Sequence, residues 1–234
     1  MGVLELVQYP QIDHWHQPKA DTLDKVRYSL NQFGFFYIKD TIGARASIDE
    51  VLEKLQNSVD VYYGEDAYTG EGSVFHGTYS RLKNSGKNII INQYLGLVSN
   101  LLDLISLALG YEQGFLQNIS QEKNYGLYFY DREEKYIEFI KKADQEAIVV
   151  PPHKDRSIIT LVVSIKGLEG YADQYDWFSI PDKEGYIIVQ AGTLLQALTQ
   201  EAIKANIHRV RGYDSSKAVF WGHLVPVKGK DSSQ

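Results

Sequence analysis

Between Val149 and Leu224, short β-like runs separate three residues able to bind a metal. The segment opens with Val149-Val-Pro-Pro-His153-Lys-Asp155 and closes with Lys204-Ala-Asn-Ile-His208-Arg-Val210 before a last alternating run. Between them lie Ile158 to Val163, Trp177 to Ile180 and Tyr186 to Gln190, apolar and β-branched like buried strands. Residues i and i+2 of a strand point to one face, so His153 and Asp155 share a direction if they sit on or beside a strand. His208, from a distant strand, then completes two imidazoles and one carboxylate. Three such ligands on one face of an octahedron leave open positions, the usual arrangement around non-haem ferrous iron. Taken alone, the three residues read more readily as a surface Asp and two hydrogen-bonded histidines.

The surrounding residues add to this. Pro152-His153-Lys-Asp155, Ser157-Ile-Ile-Thr-Leu161, Gly167-Leu-Glu169, Trp177, Ile180-Pro181, Gly185, Ile188-Val-Gln-Ala-Gly192-Thr-Leu-Leu195 and Lys204 to Val210 follow one another in a fixed order. This passage, from about residue 147 to 221, resembles the catalytic half of the iron(II)/2-oxoglutarate oxygenases, in the branch with isopenicillin N synthase and the plant-type dioxygenases. The resemblance implies a mainly β fold with helices: a double-stranded β-helix, or jelly roll, with N-terminal helices packed on one sheet. It implies Fe(II) on His153, Asp155 and His208, with 2-oxoglutarate and molecular oxygen as cosubstrates and a small molecule as substrate.

Two departures from the family pattern stand out. About nine residues after its second His the family carries Arg-x-Ser, which holds the far carboxylate of 2-oxoglutarate. Here Lys217-Ala-Val219 stands there. Lysine pairs with a carboxylate as a point charge rather than as a two-pronged fork. If Lys217 faces the barrel interior, Val219 and Trp221 do too, and a buried lysine needs a partner that a dicarboxylate supplies. The family's Gly-Asp at a strand end is Gly192-Thr193, which reads as a turn variation. The altered anchor leaves room for an alternative, an Fe(II) oxidase of the isopenicillin N synthase type that draws all its electrons from substrate. A non-catalytic ligand-binding jelly roll is a third reading.

Composition narrows the classes. The 234 residues are 44% hydrophobic and 23% charged, enough for a sizeable core in a single domain. The expected division is an N-terminal module over 1–110, a catalytic core over 111–224 and a flexible tail over 225–234. A net charge of −6 disfavours nucleic acid or an anionic membrane as partner. The absence of cysteine excludes disulfides, zinc–thiolate sites, iron–sulfur clusters and thiol nucleophiles, and agrees with a cytoplasmic protein. No signal peptide is read at the N-terminus, and the most apolar window, Tyr94 to Leu109, is too polar to span a bilayer.

Along the chain, Leu4 to Ile12 reads as a strand and His14-Trp-His16 as a polar loop. Asp21 is a candidate cap for a helix with Leu23, Val26, Leu30 and Phe33 on its inner stripe, ended by Gly34 and followed by the strand Phe35 to Ile38. That helix–Gly–Phe–Phe join also resembles the family's N-terminal module. Ser47-Ile-Asp-Glu50 is a capping box for a second helix, and Gly64 to Gly77 reads as a long loop. Tyr79 and Arg81 beyond it are candidate substrate residues, set against a solvated turn. A long core helix is expected from Asn92, ending at Gly110. In Leu127-Tyr-Phe-Tyr130, Tyr128 and Tyr130 share a face. The resemblance gives Tyr130 a hydrogen bond to the cosubstrate and puts Tyr128 where the family has Asn, near substrate. Residues 131–145 read as a lid or as a solvated surface helix. Oxidation of a small polar metabolite, of amino-acid type, is the expected activity. The outcome stays open among hydroxylation, desaturation, cyclisation and bond cleavage.

Overall fold

A computed structural model describes residues 11–16, 18–44, 74–78, 89–119, 124–131, 148–163, 166–211 and 217–224. Its strands are β1 (Gln11–Ile12), β2 (Phe35–Lys39), β3 (Val74–Thr78), β4 (Asn124–Asp131), β5 (Ile148–His153), β6 (Ile159–Val162), β7 (Leu168–Ala172), β8 (Asp176–Ser179), β9 (Tyr186–Ala191), β10 (Ile207–Arg211) and β11 (Lys217–Leu224). Its helices are α1 (Ala20–Phe33), α2 (Ile89–Ala108), α3 (Phe115–Ile119) and α4 (Thr193–Leu198). A seven-stranded sheet has the order β1-β2-β9-β6-β11-β4-β3, and a four-stranded sheet has β5-β10-β7-β8. Two facing sheets with chain neighbours alternating between them make the expected jelly roll.

Strand alternation divides the core. Phe36, Ile38, Leu161 and Val189 meet Val26 and Leu30 of α1 and Leu101, Leu102 and Ile105 of α2. Their neighbours Phe35, Tyr37, Val162 and Ile188 pack instead on Leu168, Phe178, Ile180 and Val210 of the smaller sheet. The central strands are therefore buried on both faces and read as continuous apolar runs. Each such side chain contributes roughly 1.5–3 kcal/mol by leaving water.

Several expectations change in detail. The α1 stripe is as expected, with Val26, Leu30 and Phe33 buried and Leu23 partly so. Asp21 is not its cap: the helix starts at Ala20, Lys19 takes the cap position without a side-chain bond, and Asp21 sits in the first turn. There a carboxylate still meets the positive helix end, and it lies 3.8 Å from Lys25 one turn on. The long helix begins at Ile89 rather than Asn92, because Ile89-Ile-Ile91 extends the apolar run backwards. The end of the expected loop, Val74–Thr78, is a strand: β3 pairs with β4 at the edge of the larger sheet. Across the 110/111 division, β2 pairs along its whole length with β9. The start of the first strand, the Ser47 helix, Tyr79, Arg81, nearly all of 131–145 and the tail lie outside the described residues.

Candidate metal centre

The triad is assembled by one antiparallel pair. His153 ends β5 directly opposite His208 of β10, and directly opposed residues share a face. Val210, two residues on, packs in the core between the sheets, so His208 points inward as well. The two imidazole centroids are 4.3 Å apart. Asp155 lies two residues past the end of β5, and its Oδ1 is 3.7 Å from His153 Nε2 and 3.8 Å from His208 Nε2. These separations exceed a hydrogen bond, so the three atoms surround a gap instead of bonding one another. Asp155 Oδ2 is buried without a hydrogen-bond partner.

Each imidazole is set by its other nitrogen. His153 Nδ1 is 2.9 Å from the Pro151 carbonyl oxygen, and His208 Nδ1 is 3.2 Å from that of Asn206. A carbonyl only accepts, so Nδ1 carries the proton and Nε2 presents its lone pair. Burial lowers the pKa of His208, with the His153 charge acting in the same direction and Asp155 and the Asn206 carbonyl opposing. The neutral form is the one that ligates. Two imidazole nitrogens and a buried carboxylate oxygen with no donor are a donor set that suits a divalent cation. Among the described residues this is the cluster able to hold one. His14 and His16 are exposed and take no part in it.

The Asp155 loop is pinned by the start of α4. Thr193 N donates to Asp155 O (2.8 Å), Gly192 N to Ile158 O (2.9 Å) and Leu194 N to Ser157 O (3.1 Å). A Cβ on Gly192 would stand 2.0 Å from Ser157 O. Gly192 is thus a structural requirement of the site, while the bond at Thr193 comes from its backbone amide, in keeping with a turn variation at that residue.

Register places the remaining candidates. Tyr130 pairs with Ala218 and Tyr128 with Phe220. Phe220 in turn pairs with Val162, a residue of the inter-sheet core. Lys217 pairs with Asp131, and Trp221 with both Leu127 and Leu161. Two buried polar residues near the triad escaped sequence reading, Gln190 and Asn206. Their signal was a polar side chain interrupting an apolar strand or preceding a ligand.

A model of the 2OG-Fe(II) oxygenase superfamily matches residues 120–221, a span that contains the triad and both of its strands. The matched span is a little under half of the chain. Together with the triad it supports a dioxygenase working with Fe(II) and 2-oxoglutarate. No curated protein matches it in sequence. Solved structures share the fold across nearly the whole chain. A full-length Neurospora crassa protein, in complex with alpha-KG and 5-formyluracil, aligns with a TM-score of 0.72 at 14% identity, over 96% of this oxygenase and 88% of that chain. The rice dioxygenase for auxin oxidation gives 0.71 at 14%, over 93% and 83%. The Arabidopsis thaliana enzyme of that name, with 2-oxoglutarate, gives 0.70 at 12%, over 94% and 93%. No helix among the described residues is long and apolar enough to cross a membrane.

Proposed function

We propose that this oxygenase holds Fe(II) on His153, Asp155 and His208 and oxidises a small polar metabolite, of amino-acid type, at the expense of 2-oxoglutarate. The observation that carries the reading is the convergence of two Nε2 atoms and Asp155 Oδ1 on one gap, with each imidazole oriented by a backbone carbonyl. The metal and its cosubstrate supply the oxidising chemistry when bound. The chain's own work is to hold them. His208 offers a neutral nitrogen from a buried position, and Asp155 supplies the balancing charge.

Tyr130 and Tyr128 are proposed to line the pocket, with Tyr130 towards the cosubstrate; their register partners are Ala218 and Phe220 of β11. Lys217 is proposed as the anchor for the far carboxylate from its place in the sequence after His208. Tyr79 and Arg81 stay proposed substrate residues on sequence grounds alone. A small substrate agrees with the 5-formyluracil held in the Neurospora crassa complex. The lack of cysteine supports a proposed cytoplasmic location.

The test is turnover of 2-oxoglutarate and oxygen by iron-loaded protein against a library of amino acids and small polar heterocycles. Stimulated release of carbon dioxide from 2-oxoglutarate, absent in His208→Ala, is expected. Oxygen uptake with no loss of 2-oxoglutarate would replace this reading with the oxidase one. A raised 2-oxoglutarate requirement in Lys217→Ala would confirm the anchor. An unchanged requirement would give the anchor to another residue.

A further inference from the structure

We propose that the α1–β2 corner is a positioning device for His208, acting through Asn206 and Gln190. The inference rests on the reading of His208 as a metal ligand. The His208 ring takes its orientation from one hydrogen bond, Nδ1 to the Asn206 carbonyl. Asn206 directly precedes β10, and three groups outside that strand hold it. The Asn206 side chain is buried and donates to the carbonyl of Phe33, at 2.8 Å. That oxygen belongs to the last turn of α1, where carbonyls lack partners within the helix. The Asn206 amide nitrogen donates to Ala191 O at 3.3 Å. Gln190 Nε2 lies 3.5 Å from Asn206 Oδ1.

The corner itself fits closely against this segment. Gly34 closes α1 with φ +72, and a Cβ there would stand 2.8 Å from Lys204 O, 3.0 Å from Asn206 N and 3.1 Å from Asn206 Cβ. Backbone therefore packs on backbone, with no side chain between. Ala191 N donates to Gly34 O at 2.8 Å, which joins β9 to the same corner. Gln190, pointing between the sheets, keeps one oxygen buried without a partner. An apolar residue would suit that space better for stability alone, so the amide is held for what its other end does. Helix α1, far from the triad in sequence, thus fixes the carbonyl that aims a ligand.

The test uses the full chain with Gln190→Leu and Asn206→Ala, and Lys204→Ala as the control, an exposed residue paired only with exposed Asp173. Three quantities are read: Co(II) affinity with its visible ligand-field spectrum, the exchange rate of the His208 Nδ1–H proton by NMR in metal-free protein, and Tm. Partners that orient a metal's histidines are worth about 10–100-fold in affinity. Gln190→Leu should keep or raise Tm, yet weaken Co(II) by about tenfold or more and speed Nδ1–H exchange. Asn206→Ala should do both more strongly, and Lys204→Ala neither. Native Co(II) affinity and native Nδ1–H protection in Gln190→Leu would overturn the proposal, whether or not Asn206→Ala folds. Wild-type protein that binds no Co(II), in variants that still lose Nδ1–H protection, would sink the metal reading and leave the positioning role standing.

Discussion

Asp155→Asn should make the metal-free protein more stable and the metal-loaded protein less so. The substitution keeps the shape of the side chain and removes its charge. In the native fold Asp155 Oδ2 is buried with no donor, and the imidazole nitrogens lie too far from Oδ1 to bond it. Asn leaves a neutral atom there in place of a charged oxygen; an unmet buried group costs about 1–3 kcal/mol, and more when it is charged. For a chain of this size 1 kcal/mol shifts Tm by roughly 2–4 °C. The variant should therefore melt about 2–12 °C higher in chelator. With metal at a hundred times its dissociation constant, the native protein gains about 2.7 kcal/mol, and the variant gains much less. Thermal unfolding with and without Co(II) should show the two proteins exchanging order. A variant that melts lower in chelator, or that gains as much from Co(II) as the native protein, would refute the claim that Asp155 is held in place for a cation.

Phe35→Ala, fully buried between the sheets, should cost about 3–5 kcal/mol in chemical denaturation. Glu169→Ala should loosen β10, because Glu169 pairs with both Arg209 and Arg211, and Arg209 also lies 3.8 Å over the Trp177 ring; a loss of about 2–4 kcal/mol is expected, below that for a fully buried pair since Glu169 is part exposed. The Tyr186 hydroxyl donates to Asp13 at 2.8 Å, a bond that holds its pKa above the ordinary phenol value. Because the folded pKa is raised, that contribution is complete below the unfolded pKa near 10 and fades as pH rises through the folded one. Phenolate absorbance should show one tyrosine titrating earlier in Asp13→Asn, and no difference between the two proteins would remove the bond from the account.

Much of the site was legible because its logic is local. His153 and Asp155 are two residues apart, and β-branched runs announce the strands that carry them. The pairing of His208 with His153 follows from the order of elements that the resemblance supplies. What stayed hidden depends on contacts between distant segments. Phe35 to Ile38 reads as a strand, but nothing in its own pattern says that it pairs with β9. Val74–Thr78 has too much Gly, His and Thr to look like a sheet edge. Gln190 sits in an apolar run where it looks like a tolerated exception, and its contact with Asn206 exists only after two sheets have closed.

The most direct test of the metal centre is an anaerobic titration of metal-free protein with Fe(II) and then 2-oxoglutarate, followed by visible absorption. A weak charge-transfer band from the chelated 2-oxo acid is expected in the native protein, and no band in His208→Ala or Asp155→Asn. A band of full strength in either variant, or no Fe(II) binding by the native protein, would contradict it.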